Sequence, residues 1–173
     1  MQATHRSKRI LQPAKAWFIY VSMALSLFLT FIPTGRFPGV PDWIALLLVF
    51  WSIREPERIG LGSAFLCGLA KDLVQAAVLG PHILAYVLMV FSAKLLGRRI
   101  LWFGLGGQAL HVWSLLLGSE VLMVLLRLAL GADFPGWGYF LSSLVGAALW
   151  APLTFLLLLP QYRPVERDDT RPI

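Results

Sequence analysis

The sequence predicts an all-α, polytopic membrane protein, a single helix bundle with about six transmembrane segments. Two features of its composition lead to this prediction. Of its 173 residues, 58% are hydrophobic and only 14% are charged, whereas about a quarter of the residues of a soluble domain are charged. This number of charged residues is too small to form a water-exposed surface. Lipid is therefore expected to cover the outside of the bundle.

Six apolar runs, separated by turns rich in proline, glycine or charge, give the predicted segments. They cover residues 16–32, 43–53, 59–80, 81–96, 103–130 and 137–159. The second run is short, since its apolar part covers only about half of the hydrocarbon thickness. It is therefore either a crossing helix or a re-entrant piece. In the sixth run, Pro152 is expected to kink the helix and free a backbone carbonyl.

The distribution of lysine and arginine favours a second segment that crosses. If all six runs cross and the N-terminus is inside, the outer side keeps only Arg36 and Arg127 of the chain's loop cations. Removing the second crossing moves most other cations outside, against the positive-inside rule. The prediction is therefore a transmembrane bundle over residues 16–160, with residues 1–15 and 161–173 as cytoplasmic tails.

The third segment carries a stripe of small residues with a carboxylate in it. The stripe, at steps of four, consists of Gly60, Ala64, Gly68, Asp72, Ala76 and Gly80. Small residues at this spacing allow the backbone of another helix to come close. A carboxylate among them is expected to point into the bundle, where a hydrogen bond to a neighbouring helix is favoured. A role in ion or ligand handling, or in partner contact, is the alternative.

Further polar residues are expected to lie inside the bundle. Lys71 is about 18 Å from the cytoplasmic end of its segment, too deep to reach water there. Glu120 is a candidate partner, and Asp72 and Arg127 are others. Gln108 and His111, one helical turn apart, either contribute to a polar pocket or form inter-helical hydrogen bonds. The predicted buried polar network is Lys71, Asp72, Gln108, His111, Glu120 and Arg127.

The sequence contains no recognisable catalytic or metal-binding arrangement. No serine has a Gly-x-Ser-x-Gly setting, and His5, His82 and His111 lack the spacing of metal ligands. The single cysteine, Cys67, excludes an intrachain disulfide. The positive charges flank apolar runs, which indicates contact with lipid headgroups and not with nucleic acid. We therefore expect no enzyme, cofactor or metal.

Several short motifs, in a fixed order, resemble the MreD family, the rod shape-determining inner-membrane proteins of bacteria. The resemblance extends from residue 19 to residue 159. It is carried by Pro41-Asp42-Trp43, the G-x-x-x-D spacing at 68–72, Leu79-Gly80, Gln108-Ala109-Leu110 and Trp150-Ala151-Pro152. Two positions depart from the family pattern. Lys71 stands where an apolar residue is usual, and Ala76 stands where glycine is common.

This resemblance implies a non-enzymatic subunit of the elongasome, the machinery that builds lateral peptidoglycan and maintains cell shape. It implies an MreC-like partner and, through it, the filament protein MreB, the glycosyltransferase RodA and a class B penicillin-binding transpeptidase. It also implies a fold similar to the substrate-binding subunits of ECF transporters. The candidate partner surfaces are the stripe of the third segment and the loop 33–43, which includes Pro41, Asp42 and Trp43. The alternative, favoured for the stripe, is packing within the monomer. The alternative function is a small-molecule-binding subunit of a membrane transporter.

Overall fold

The structure, a computed structural model, describes residues 10–11, 14–31, 39–74 and 79–163. Its helices are α1 (Ala16–Phe31), α2 (Trp43–Arg54), α3 (Leu61–Val74), α4 (Pro81–Trp102), α5 (Leu105–Ala129), α6 (Leu141–Ala148) and α7 (Trp150–Leu158). Short 3₁₀ turns cover Trp137–Phe140 and Leu159–Gln161, and two-residue strands cover Ile10–Leu11 (β1) and Tyr162–Arg163 (β2). Within the described residues the chain is a helix bundle, as its all-α fold class predicted.

The third predicted segment is shorter in the structure than in the prediction. The helix α3 begins after Gly60, whose carbonyl accepts the amide of Ala64 at 3.1 Å. Gly80, which was expected on the same helix, has a φ of +124° and precedes α4. That conformation suits glycine because it has no Cβ, and Pro81 then occupies the first helical position. The helical part of the stripe therefore runs from Ala64 to Asp72, and Ala76 lies outside the described residues.

The sixth predicted segment is two helices, α6 and α7, whose axes meet at an angle of 43°. The break is at Leu149, between the end of α6 and Trp150. Pro152 has no N–H to donate to the carbonyl of Ala148, four residues earlier, so one helical hydrogen bond is missing at this point. The predicted kink is confirmed.

The helix α2 is the centre of the bundle. Residues 44–53 are all buried, so every face of this helix packs against protein. Trp51 donates from Nε1 to the hydroxyl of Ser22 on α1 at 2.9 Å. The ring of Phe50 lies 5.6 Å from that of Trp150 on α7. Because neighbouring helices, and not lipid, surround α2, its 12 residues need not match the hydrocarbon thickness.

The surrounding helices expose apolar side chains on their outer faces. Examples are Phe28 on α1, Leu66 on α3, Leu95 on α4, Leu110 on α5 and Phe155 on α7. By length and composition α5 is able to cross a membrane alone, and the bent α6–α7 pair makes a second crossing if it is one span. The helices α1 and α2 are apolar but shorter. The number of about six crossings stays a prediction.

The two short strands pair with each other at one end of the bundle. The strands β1 and β2 pair antiparallel, with Ile10 opposite Arg163. Beside them, the carboxylate of Glu55 accepts the amide of Ala14 at 3.0 Å, and Arg58 donates to the Ala14 carbonyl. Both strands therefore lie at the same end of the bundle as the turn between α2 and α3. The boundaries and cytoplasmic location of the tails stay predictions.

Candidate functional site

A polar cleft of about 970 Å³ lies at the opposite end of the bundle. It forms where α1 and α5 end and where α2 and the 137–161 pair begin. Its charged and titratable lining residues are Asp42, Lys71, His82, Glu120, Arg127, Asp133 and Tyr139. Pro41 and Trp43 line it as well. By the predicted topology, this end of the bundle is the outer one.

An ion pair between Lys71 and Asp42 joins α3 to the start of α2. The ammonium of Lys71 binds Oδ2 of Asp42, and the hydroxyl of Tyr86 on α4 donates to the same oxygen at 2.6 Å. The other oxygen, Oδ1, accepts the amide of Ala45 at 3.2 Å and caps α2. Lys71 therefore pairs with Asp42, and the candidate pairing with Glu120 is wrong.

Lys71 and two hydrogen-bond donors keep the carboxyl of Asp42 ionised despite its burial. Burial alone raises the pKa of the Asp42 carboxyl, because water no longer stabilises the charged form. The ammonium of Lys71, the hydroxyl of Tyr86 and the amide of Ala45 outweigh this effect and hold the pKa below its usual value. The carboxylate is therefore ionised at neutral pH, and the pair joins three helices, α2, α3 and α4.

Asp72 is completely buried and caps α4 from the neighbouring helix. Its Oδ2 accepts the amide of Gly80 at 2.9 Å, and its Oδ1 accepts the amide of His82 at 3.2 Å. The same Oδ1 lies 2.6 Å from Nδ1 of the His82 ring. The first amides of a helix lack partners within it, and Gly80 offers no side chain to supply one. Asp72 takes that role from α3, so its carboxylate joins two consecutive helices.

The small residues of α3 pack against α4. A Cβ added to Gly68 would lie 2.6 Å from Cα of Ile83, which places the two backbones in direct contact. Ala64 is also fully buried. At the start of the stripe, a Cβ added to Gly60 would lie 3.6 Å from Nζ of Lys94 on α4. The described middle of the stripe is therefore occupied by a helix of the same chain.

Glu120 lies in the wall of the cleft, where α5 meets α6. Its Oε1 accepts the hydroxyl of Ser142. Its Oε2 is buried and receives no well-aligned hydrogen bond within the described chain, but the backbone amide of Ser143 lies close enough to stabilise the carboxylate. The hydroxyl of Ser143 donates to the carbonyl of Phe140 at 2.8 Å. Further along α5, the guanidinium of Arg127 lies 6.0 Å from the centre of the Tyr139 ring.

Gln108 and His111 do not line the cleft. Gln108 accepts Nε1 of Trp150 at 3.2 Å and donates to the carbonyl of Phe103 at 2.9 Å, so it links α5 to α7. Nδ1 of His111 lies 2.8 Å from the carbonyl of Gly107, and its ring stacks on Phe103. The predicted polar network is thus divided between the two ends of the bundle.

The residues that complete these contacts are not predictable from the sequence alone. They are Asp42, the partner of Lys71; Tyr86, which donates to Asp42; His82, the partner of Asp72; and Ser142, the partner of Glu120. The only available signal was Asp42 itself, a capping residue type directly before an apolar run. Hydrogen-bond partners that are distant in sequence carry no local signal. Among the described residues, no three His, Cys, Asp or Glu side chains are grouped so that they could hold a metal ion.

Comparison with known proteins agrees with the motifs. The family of the rod shape-determining protein MreD matches residues 8–159. The chain belongs to the MreD family. It is 30% identical over 157 residues to the rod shape-determining protein MreD of Haemophilus influenzae, an alignment that covers 87% of this chain and 94% of that protein. No solved structure gives a significant match.

The family resemblance is therefore confirmed, and the chain is a rod shape-determining membrane protein. Of the motif residues that carried the resemblance, Asp42, Asp72 and Gly80 take part in the contacts at the start of α2 and α4. Gln108 and Trp150 bond to each other. Of the two departures from the family pattern, Lys71 binds Asp42. The other, Ala76, lies outside the described residues.

Proposed function

We propose that this MreD-family chain is a non-enzymatic scaffold subunit of the bacterial cell-elongation complex. The observation that carries the proposal is the family match over residues 8–159. In this role the chain lies in the inner membrane with both termini in the cytoplasm. It binds an MreC-like protein and, through it, acts with MreB, RodA and a class B penicillin-binding transpeptidase in lateral peptidoglycan synthesis.

The polar contacts of the bundle support a scaffolding role. Asp42 and Asp72 hold the starts of α2 and α4 at fixed positions relative to α3. A surface that is already ordered before association loses little conformational entropy when a partner binds. A rigid bundle end of this kind therefore suits a protein whose function is to position others.

The partner surface is better sought at the cleft than along the α3 stripe. The middle of the stripe faces α4 at Gly68, so it offers no groove to a second protein. In contrast, Val40 is exposed beside Pro41 and Trp43 at the rim of the cleft. Of the two surfaces expected from the sequence, we propose that this rim contacts the MreC-like partner.

Depletion in a rod-shaped host tests the scaffold proposal. We expect cells to round up when the chain is depleted and to recover when it is supplied again. The tagged chain, extracted in mild detergent, should retain an MreC-like protein. A complementing Glu57→Ala variant, altered at an exposed carboxylate far from the cleft, serves as the control. Normal cell shape after clean depletion would contradict the proposal.

The alternative, a small-molecule-binding subunit of a transporter, is favoured by one observation, the volume of the cleft. About 970 Å³ lies within the range of small-molecule sites. This alternative predicts that uptake of a specific solute stops when the gene is lost. Cell rounding without any uptake defect would leave the scaffold as the function.

A further inference from the structure

The last turns of α4 carry three exposed cations at the end of the bundle opposite the cleft. They are Lys94, Arg98 and Arg99. Nζ of Lys94 donates to the carbonyl of Pro56 at 2.8 Å. In the part of the chain that the structure describes, neither arginine has a hydrogen bond, an ion pair or an aromatic contact. Two guanidinium groups, each with five N–H donors, are therefore available to an anion from outside the chain.

The opposite face of these turns is packed into the bundle. A Cβ added to the buried Gly97 would lie 3.6 Å from Cα of Ile53, near the end of α2. Ile100 is fully buried. The backbone that carries Arg98 and Arg99 is thus already ordered, so a ligand that binds them restricts only the side chains.

An apolar stripe on the outer face of α4 leads to the arginines. We call it the α4 stripe, and its members, all exposed, are Leu84, Leu88, Phe91, Leu95 and Trp102. Arg99 follows Leu95 by four residues and precedes Trp102 by three, so it lies on the same face. From Leu88 to Arg99 the helix rises about 16 Å, which matches the roughly 15 Å of hydrocarbon in one leaflet.

We propose that this end of α4 binds an anionic phospholipid, with Arg98 and Arg99 on the phosphate and an acyl chain along the α4 stripe. Guanidinium groups bind phosphate through paired, charge-assisted hydrogen bonds. Trp102 is 90% exposed, and a tryptophan beside cations is typical of the membrane–water interface, where the phosphates lie. The inference goes beyond the scaffold role and does not depend on it.

A lipid with a net negative headgroup fits both parts of this surface. An acidic segment of a soluble protein would pair with the arginines but would leave Phe91 and Leu95 uncovered. A zwitterionic lipid would cover the α4 stripe, but its own ammonium group already compensates its phosphate. Cations on the predicted inner side are also where acidic headgroups bind to membrane proteins.

Binding of defined probes to the full-length chain, purified in mild detergent and stripped of lipid, tests the proposal. The probes are phosphatidylglycerol, phosphatidylcholine with the same acyl chains, and glycerol 3-phosphate, an anion without acyl chains. Native mass spectrometry of the complexes gives the dissociation constant of each. We expect phosphatidylglycerol to bind about thirtyfold more tightly than phosphatidylcholine, since two cations act on its headgroup.

The wild-type chain alone is enough to refute the proposal. Equal binding of phosphatidylglycerol and phosphatidylcholine would show that the arginines do not select a charge. Equal binding of glycerol 3-phosphate and phosphatidylglycerol would show that the α4 stripe contributes nothing, and the assignment to a lipid would be overturned.

Variants then locate the site. We expect Arg99→Gln to bind phosphatidylglycerol about fivefold more weakly, and the double variant Arg98→Gln/Arg99→Gln about thirtyfold more weakly. Because both side chains are exposed and make no contact within the described residues, the variants should fold, and their Tm without lipid checks this. If the double variant binds phosphatidylglycerol like the wild type, the proposal is overturned, and the surface is left to an acidic protein.

Lys15→Gln provides the matched control. Lys15 is exposed at the start of α1, at the same end of the bundle, and no second cation lies within four residues of it. Its replacement removes one positive charge, as Arg99→Gln does, and should leave the affinity for phosphatidylglycerol within about twofold of the wild type. A loss equal to that of Arg99→Gln would show that net charge, and not the end of α4, retains the lipid, which would also overturn the proposal.

Discussion

Two carboxylates, Asp42 and Asp72, each combine a helix cap with a contact to a second helix. Asp42 caps α2 and holds Lys71 of α3, while Asp72 of α3 caps α4. Isolated caps contribute about 1 kcal/mol, but a buried carboxylate with several donors contributes more, because its removal leaves those donors without partners. The stability of this end of the bundle is therefore concentrated in very few side chains.

Replacement of Asp72 by alanine should lower the free energy of unfolding by about 3 kcal/mol, since the amides of Gly80 and His82 lose their acceptor. Thermal unfolding in detergent measures the change, and the amount of folded protein in membranes gives a second readout. Glu57→Ala, at an exposed carboxylate, is the control and should have little effect. Equal stability and full complementation of cell shape by Asp72→Ala would contradict the assigned role.

The Lys71–Asp42 pair predicts non-additive substitutions. Lys71→Met leaves the Asp42 carboxylate without its cation and should cost about 3 kcal/mol, as should Asp42→Asn. The double variant should cost less than the sum by about 1–3 kcal/mol, because neither charge is then left alone. Unfolding of the four proteins in one detergent measures this coupling. Strictly additive effects would show that the two side chains do not interact.

For single residues, the sequence predicts where a side chain points better than it predicts which residue that side chain bonds to. The small residues around Asp72 indicated that its carboxylate faces the bundle, because a stripe at steps of four lies on one helix face. Its acceptor role depends on Gly80 and His82, which follow only after a turn. Lys71 was predicted to need a partner, yet Asp42 lies 29 residues earlier. Proximity of this kind arises from tertiary packing and leaves no periodic signal.

At the scale of helices, the contact of α3 with α4 depends on the absence of a side chain. Gly68 lies where a Cβ would overlap the backbone of Ile83, whereas Gly62, on the same helix, has open space around it. Two glycines of one helix thus have opposite surroundings. The pair separates the effect of packing from the effect of helix propensity.

We expect Gly68→Ala to lower the free energy of unfolding by about 2 kcal/mol, because α3 and α4 must move apart. Gly62→Ala should raise it by up to about 1 kcal/mol, since alanine favours the helix and meets nothing. Thermal unfolding of both variants gives the comparison. A stability of Gly68→Ala equal to that of Gly62→Ala would contradict the close approach of the two backbones.

Helix existence was easier to predict than helix ends. Long apolar runs predicted α1, α4 and α5, and Pro152 predicted the break before α7, because proline removes a specific hydrogen bond. The end of α3 was placed too late. The apolar pattern continues to Gly80, while a φ of +124° at that residue belongs to a turn. Composition does not distinguish a helix that continues to Gly80 from a turn at that residue.

For the whole molecule, the positive charges predict which end faces the cytoplasm. The turn between α2 and α3 and the paired strands lie at one end, and the cleft lies at the other. The positive-inside rule places the first end inside. Lysine and arginine are therefore expected to set the orientation of the bundle in the membrane, whereas the internal order of the helices follows from packing.

Cysteine labelling tests this orientation. In a Cys67→Ser background, Asp133→Cys at the rim of the cleft should react with a membrane-impermeant maleimide in intact cells. Glu57→Cys, exposed at the other end, should react only after the membrane is permeabilised. Gel-shift analysis of the labelled protein measures both. Labelling of Glu57→Cys alone in intact cells would reverse the predicted topology.

The complete burial of α2 has a consequence for how the protein responds to its bilayer. A helix that touches lipid adapts to thickness by tilting, and it transmits that adaptation to whatever it packs against. Residues 44–53 of α2 contact only neighbouring helices. The tilt of α2 therefore does not have to change when the length of the lipid acyl chains changes. Changes in lipid composition should then change the tilt of the outer helices, while the orientation of α2 stays the same.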